Sequence, residues 1–163
     1  MAGVQVTTQF RGFRFAGCLY SGPNALPVLQ FYKAQAAISL VAGDSVAFES
    51  ATDNEIVLGT IAKATAGLMA GICNQTKQFA AGDMVPVIVS ADGVYEVYDT
   101  TSRAIGLNMS VTGASGAQSV AVDSTGANNS CWRVAWESDG NSTYVTWADQ
   151  ALRILDAKST VAA

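Results

Sequence analysis

Two stretches decide the fold: "LVAGDSVAF" at residues 40–48 and "FAAGDMVPV" at residues 79–87. Each stretch writes Ala-Gly-Asp-x-Val at the start of a strand-like run. Glycine supplies a turn conformation that other residues avoid, and aspartate accepts hydrogen bonds from its own nearby backbone. The pattern therefore predicts two equivalent corners of a β-fold, with chance recurrence in an Ala/Gly-rich chain as the competing explanation. The turn residues are Gly43, Asp44, Gly82 and Asp83.

The composition favours one β-rich domain. The chain has 163 residues, of which 50% are hydrophobic, so it can bury a sizeable core. Only 13% of its residues are charged, about half the usual share for a soluble domain. Gly, Ala, Ser, Thr and Val take their place. This mix suits a fold with many turns whose surface is covered in part by a partner.

Short strand-like runs follow one another from residue 37 onward: "ISLV", "SVAF", "EIVLG", "MVPVIV" and "VYEVYD". The clearest local signal is a hairpin over residues 87–98, with Asp92 and Gly93 in the turn. Residues 60–72 are ambiguous between a helix and a strand packed closely against another backbone. About ten strands without alternating helices predict an all-β fold, a small β-barrel or a sandwich.

The end of the chain predicts a second hairpin and a short helix. "CWRVAW" is answered by "TYVTW", which would place Trp132, Val134 and Trp136 on one face. Residues 146–155 have helical spacing behind a cap-like threonine.

The N-terminal third is expected to stand apart from the core. Residues 1–34 are predicted to form an extended arm and lead-in, and residues 35–163 the barrel-like domain. The first 43 residues carry three cations and no acid. Pro23 and Pro27 interrupt any regular strand between the arm and the core. A first edge strand is the alternative interpretation of this segment. The predicted docking residues of the arm are Phe10, Arg11, Phe13, Arg14 and Phe15.

Little in the sequence points to catalysis or to a cofactor. Histidine is absent, which removes Ser-His and Cys-His arrangements. No phosphate-binding glycine loop is present, and the three cysteines lack metal-site spacing, so they are expected to be reduced and buried. We therefore expect no enzyme activity, metal, cofactor, nucleic acid or membrane span. A leader peptide is not expected either.

The order of elements over residues 37–100 resembles the decoration, or cement, proteins of tailed-phage heads. The resemblance comprises the strand entry at residues 43–46, the crossing segment "EIVLGTIAKATAGLMAGI", the second entry at residues 82–87 and "DGVYEV" at residues 92–97. It implies a small β-barrel or β-tulip that forms homotrimers. It also implies binding to the outer capsid surface at threefold positions, where such proteins clamp the major capsid protein after synthesis in the host cytoplasm.

Two other classes of function stay open. A carbohydrate-binding β-sandwich in a phage fibre or surface protein would use the tryptophan hairpin. A hydrolase on a β-scaffold would use Asp53 or Glu137.

Overall fold

The computed structural model of the chain describes residues 12–123, 131–138, 141–148 and 151. Within them it confirms the predicted all-β, barrel-like domain, with thirteen strands and one short helix. The strands are β1 Phe13–Cys18, β2 Leu29–Ala34, β3 Ile38–Leu40, β4 Ser45–Phe48, β5 Glu55–Leu58, β6 Met69–Cys73, β7 Lys77–Phe79, β8 Met84–Ile88, β9 Gly93–Tyr98, β10 Asn108–Thr112, β11 Ser119–Val122, β12 Trp132–Trp136 and β13 Ser142–Trp147. The helix is α1 Ile61–Thr65. No helix of the described part is long and apolar enough to span a membrane.

A closed five-stranded barrel forms the first layer, in the order β2-β5-β4-β6-β8. The β2–β5 pair is parallel and the other pairs are antiparallel. Alternate residues along each strand face the barrel interior, which β3 and β7 help to close as a separate two-stranded pair. The interior side chains include Leu40, Val46, Phe48, Ile56, Phe79, Val85 and Val87.

The two Ala-Gly-Asp corners are structural copies of each other. At the first, the Gly43 N–H donates to the Cys73 carbonyl (2.9 Å) and the Cys73 N–H to the Asp44 carbonyl (2.8 Å). At the second, the Gly82 N–H donates to the Ala34 carbonyl (2.8 Å) and the Ala34 N–H to the Asp83 carbonyl (2.8 Å). Every residue of one set lies 39 positions from its counterpart in the other. β2, β3 and β4 are thus repeated as β6, β7 and β8, with β3 of one half paired with β7 of the other.

A six-stranded antiparallel sheet forms the second layer, in the order β1-β9-β13-β12-β10-β11. Its inner face packs on the outward side chains of β4, β6 and β8, so one core joins the two layers. An aromatic stack lies at the centre of this core: the ring centroids of Phe13 and Trp132 are 4.4 Å apart, and those of Trp132 and Trp147 are 3.9 Å apart. The sheet therefore covers only one side of the barrel.

Gln118 connects the two layers through hydrogen bonds. Its buried amide oxygen accepts from the Ser45 N–H (2.6 Å) and hydroxyl (2.8 Å), and its Nε2 donates to the Gly59 carbonyl (3.0 Å). The Gln118 carbonyl accepts from the Gly12 N–H (3.1 Å). These bonds fix the start of β1 beside the barrel.

The prediction of a separate arm is wrong for residues 13–34. β1 pairs with β9, with Phe13 opposite Val97 and Phe15 opposite Tyr95, and β2 is a strand of the closed barrel. β1 is an edge strand of its sheet, which is the alternative that the sequence left open. The reason is burial: Phe13 is 2% exposed, because its ring completes the aromatic stack. Residues 1–11, with Phe10 and Arg11, lie outside the described residues.

The predicted hairpin over residues 87–98 does not form, although its turn does. The Gly93 N–H donates to the Ser90 carbonyl (3.0 Å), so Gly93 is the last residue of the turn. Gly93 is not among the glycines with positive φ. A two-residue hairpin would need positive φ at its central residues to return the chain onto β8. β9 instead leaves the barrel and pairs with β1 and β13.

The ambiguous segment over residues 60–72 contains both a helix and a strand, the two structures that the sequence allowed. Thr60 caps α1 by accepting from the Lys63 N–H (3.3 Å), and β6 follows within eight residues. Gly71 in β6 has φ of 156°, and a Cβ there would lie 2.0 Å from the Ile88 carbonyl oxygen. The glycine therefore permits the close approach of β6 and β8.

The C-terminal helix predicted over residues 146–155 is wrong at its start, because Thr146 and Trp147 end β13. Ala148 and Ala151 are described, but the rest of that stretch is not.

Candidate functional site: an exposed apolar face on the barrel

The corner aspartates serve the backbone. Asp44 is 1% exposed; its Oδ2 accepts from the Val41 N–H (2.9 Å) and the Ser115 hydroxyl (2.5 Å), and its Oδ1 accepts from the Gly116 N–H (2.8 Å). Asp83 repeats the local bond, accepting from the Ala80 N–H (3.0 Å). Asp44 thus also holds the loop before β11 against the barrel.

Asp83 differs from Asp44 in facing solvent. The bond from the Ala80 N–H, followed by the Lys77 ammonium 3.1 Å away, lowers the pKa of the Asp83 carboxyl. The glycines of both corners have positive φ, 102° at Gly43 and 82° at Gly82. Both corners therefore use glycine for conformation and aspartate for capping.

Asp53 and Glu137, the catalytic candidates that the sequence offered, do not share one site, although Asp53 and Glu55 line one concavity. Asp53 accepts from the Ser50 hydroxyl (2.5 Å) and the Glu55 N–H (3.3 Å), which closes its own loop. Glu55 points outward from β5, and Glu137 is exposed after β12. Asp92 lines a groove of about 520 Å³ with Arg133 and Tyr20, on the other layer. Within the described residues, no three His, Cys, Asp or Glu side chains are grouped so that they could hold a metal ion.

The hairpin of β12 and β13 forms as predicted, but the prediction that Trp132, Val134 and Trp136 share one face is wrong for Trp136. Trp132 and Trp147 are 0% and 4% exposed and stack in the core. β12 has a bulge between Val134 and Trp136, which places Val134 opposite Val145 and Trp136 opposite Tyr144. The bulge turns Trp136 to the other face of the sheet, where its ring lies 5.8 Å from that of Tyr144.

The predicted docking residues that are described are already engaged within the chain. Phe13 is buried, and the Phe15 ring meets the Tyr95 ring edge-on at 5.8 Å. The Arg14 Nε donates to the Glu96 carboxylate (3.0 Å), which also accepts from the Ser142 hydroxyl (2.7 Å). These three side chains are therefore not a free docking set.

All three cysteines are free thiols and buried, as the sequence predicted. Burial raises the pKa of each, to about 12 for Cys131. Cys73 lies in the barrel interior and Cys131 in the core between the layers.

Exposed apolar side chains concentrate in one part of the chain. Of the ten large exposed hydrophobic residues described, six belong to residues 19–31, a stretch without a single charge. They are Leu19, Tyr20, Leu26, Val28, Leu29 and Phe31. Leu19 and Tyr20 line the groove on the six-stranded sheet, apart from the residues on the barrel. Monomeric proteins seldom expose large contiguous apolar patches.

A continuous part of this surface lies on the barrel. Leu29 and Phe31 point outward from β2 and lie opposite Ile88 and Pro86 on β8, and the next pair is Lys33 with Met84. Phe31 is 60% exposed and Met84 50%. We call the outward side chains of Leu29, Phe31, Met84 and Pro86 the barrel face. Phe31 and Met84 also line a concavity of about 550 Å³ with Asp53 and Glu55.

The barrel face was not predicted from the sequence, because residues 1–34 were interpreted as an arm that Pro23 and Pro27 separate from the core. One signal was present: residues 29–34 alternate, and Tyr32 and Ala34 turn inward while Leu29 and Phe31 turn outward. With apolar residues on both sides of the strand, the sequence alone does not tell which side is bare.

No protein-family model matches the chain, and no curated protein is significantly similar to it in sequence.

Proposed function

We propose that this chain is a structural virion protein that binds the outside of a phage capsid, as a homotrimer at threefold positions, and stabilises the lattice of the major capsid protein. The observation that carries the proposal is the exposed apolar surface of residues 19–31 together with Met84 on the barrel face. The order of the two corners and the segments between them, which resembles that of phage-head decoration proteins, supports it. The function proposed is non-enzymatic and needs no cofactor.

The physical support is the cost of leaving apolar surface in water. Removing a side chain such as Phe or Leu from water contributes roughly 1.5–3 kcal/mol. Charged residues are depleted at the centre of protein interfaces, and residues 19–31 carry none. A rigid barrel that presents such a surface is suited to a permanent assembly. On a capsid, each copy would bury this surface against a neighbouring copy or the lattice.

The contact to the capsid is assigned to the N-terminal residues before β1. Phe13, Arg14 and Phe15 are engaged within the fold, so the docking residues that remain are Phe10 and Arg11. These two residues lie just before β1, whose own outer edge is engaged through Phe13 with Gly43 and through Cys18 with Gly22, so an added strand would come from the residues before it. An extended segment there can add a strand to an acidic edge of the capsid protein, with backbone hydrogen bonds supplying affinity.

Co-sedimentation tests this function. Capsids assembled from the major capsid protein encoded in the same genome should carry the chain to saturation and should disrupt at a higher temperature when decorated. A variant lacking residues 2–10 is the control and should stay in the supernatant. Failure of the full-length chain to sediment with these capsids at concentrations of about 10 µM would refute the proposal.

One observation favours a second candidate, a carbohydrate-binding module. Trp136 and Tyr144 form an aromatic pair on the outer face of the six-stranded sheet, beside the Arg14–Glu96 ion pair. Aromatic rings next to polar side chains can stack on a sugar ring. Binding to a glycan array that is lost in Trp136→Ala, with an unchanged melting temperature, would favour this candidate over capsid binding.

A further inference from the structure

We propose that the barrel face is the contact between copies of this chain, closed at its rim by Lys33 of one copy and Glu55 of the next. This inference rests on the proposed function for its biological setting, but its geometry comes from the barrel itself. It names the partner of the barrel face as a second copy of this chain, and not the capsid protein.

The outer surface of the barrel is apolar on both sides, but among the described residues only one side is covered, by the six-stranded sheet. Outward residues of β4, β6 and β8, such as Ala47, Ile72 and Ile88, are buried under the six-stranded sheet. The outward residues of β2 and the start of β8 continue the same apolar surface without a cover, at Phe31 and Met84. The barrel face is therefore built like a protein interior that lacks its second layer among the described residues.

Two oppositely charged side chains lie at the rim of the barrel face. Lys33 of β2 lies directly opposite Glu55 of β5 in a parallel pair, at one end of the barrel face. Both side chains are exposed. Within the part of the chain that the structure describes, neither makes an ion pair, although four other pairs form. The rim thus offers Lys33 and Glu55 side by side, while the third charged residue of the concavity, Asp53, is hydrogen-bonded within its own loop.

The rim of one copy is complementary in charge to the rim of a second copy. A second copy rotated about an axis that runs along the barrel face and between Lys33 and Glu55 would bring its Glu55 to Lys33 of the first copy. The relation repeats around a twofold or a threefold axis, because each copy supplies both charges. A partner with a surface of a single charge sign would satisfy Lys33 or Glu55 but repel the other. A second copy fits both the apolar centre and the mixed rim.

The experiment is light scattering of the whole chain over a concentration series with matched variants. Phe31→Thr removes the exposed ring but keeps a strand-forming residue, and Ile105→Thr is the control, an equally exposed apolar residue (67%) outside the barrel face. We expect Phe31→Thr to weaken self-association by at least about tenfold, because a ring at the centre of an interface carries much of its affinity. Ile105→Thr should leave the oligomer mass unchanged.

The charge reversals test which residues meet. Lys33→Glu and Glu55→Lys should each weaken the oligomer, since each brings two like charges together across the contact. The double variant Lys33→Glu/Glu55→Lys restores opposite charges at every contact and should recover the wild-type mass. Melting temperatures of the variants in dilute solution check that the fold is intact.

A monomeric wild-type protein, an oligomer that survives Phe31→Thr, or a double reversal no better than the single ones would each overturn the proposed contact. Capsid co-sedimentation separates this outcome from failure of the proposed function. Monomers of Phe31→Thr that still sediment with capsids would uphold both, whereas wild-type oligomers that ignore capsids would refute only the capsid role.

Discussion

Asp44 and Asp83 occupy the same position in two copies of one corner, yet their surroundings differ. Asp44 is buried and accepts from Val41, Ser115 and Gly116, whereas Asp83 faces solvent with Ala80 and Lys77. We predict that Asp44→Ala lowers the free energy of unfolding by about 2–4 kcal/mol, since it strands buried donors. Asp83→Ala should have a much smaller effect. Urea unfolding measures both, and equal losses would contradict this account.

A pH dependence follows from Asp83. Its pKa is lowered in the folded protein by the Ala80 N–H and then by Lys77, so folding favours the ionised carboxylate. The resulting stability is present above the ordinary aspartate pKa of about 3.9 and is lost as the pH falls through the lower folded value. Below about pH 4, we expect the urea concentration at the unfolding midpoint to decrease. The decrease should be smaller in Asp83→Asn. An unchanged acid profile in Asp83→Asn would show that other carboxyls, such as Asp99 beside Arg103, dominate.

At the scale of elements, β1 shows where the fold begins. Deleting residues 2–10 should leave the melting temperature nearly unchanged, because β1 and the bond from Gly12 to Gln118 remain. Deleting residues 2–15 removes Phe13 from the aromatic stack, and losing such a buried ring costs about 3–5 kcal/mol. We expect the longer deletion to unfold or aggregate. Circular dichroism measures the melting temperatures of the two deletion variants. Equal melting temperatures would mean that residues 13–15 are not needed for the fold, as the arm prediction held.

Local patterns predicted elements well and their partners poorly. The strands at Ile38–Leu40, Ser45–Phe48 and Glu55–Leu58 lie where alternation and β-branched residues indicated them. The partner of a strand depends on distant residues, and so β9 joins β1 and β13 instead of β8. One extra residue in the β12 bulge places the Trp136 side chain on the opposite face of the sheet. No residue type in "CWRVAW" predicts a bulge at that position.

The candidate site was the least predictable part. Whether Phe31 is covered depends on which side of the barrel the six-stranded sheet packs. In the structure, Phe13, Trp132 and Trp147 share one core with Ile72 and Ile88, on the side away from Phe31. Asp53, which the sequence offered as a catalytic candidate, instead closes its own turn, since its side chain bonds the adjacent backbone. Local hydrogen bonds can be predicted from the sequence, but whether the barrel face is exposed depends on how the two layers pack.

For the whole molecule, the two layers should unfold together. β4, β6 and β8 contribute one side to the barrel interior and the other to the core beneath the sheet. We predict that tryptophan fluorescence, which reports the Trp132–Trp147 stack along with Trp136, and thiol reactivity in a Cys18→Ser/Cys131→Ser background, which reports Cys73, change at the same urea concentration. The native thiols should react slowly at pH 8, because burial raises the pKa of each. Thiol labelling that precedes the fluorescence change would mean that the barrel opens alone.

The open corner at Gly82 also makes this chain a candidate carrier for foreign peptides. A Cβ atom at Gly82 would meet nothing within 4 Å, while the twin corner is covered by Gly12, Phe13 and Gly116. Loops lengthen at small entropic cost when their ends are held, and here β7 and β8 hold them. An epitope grafted between Ala81 and Gly82 would therefore be displayed by a fold whose twin corner still closes the barrel. On an ordered lattice, such a graft would become a regularly spaced, multivalent antigen.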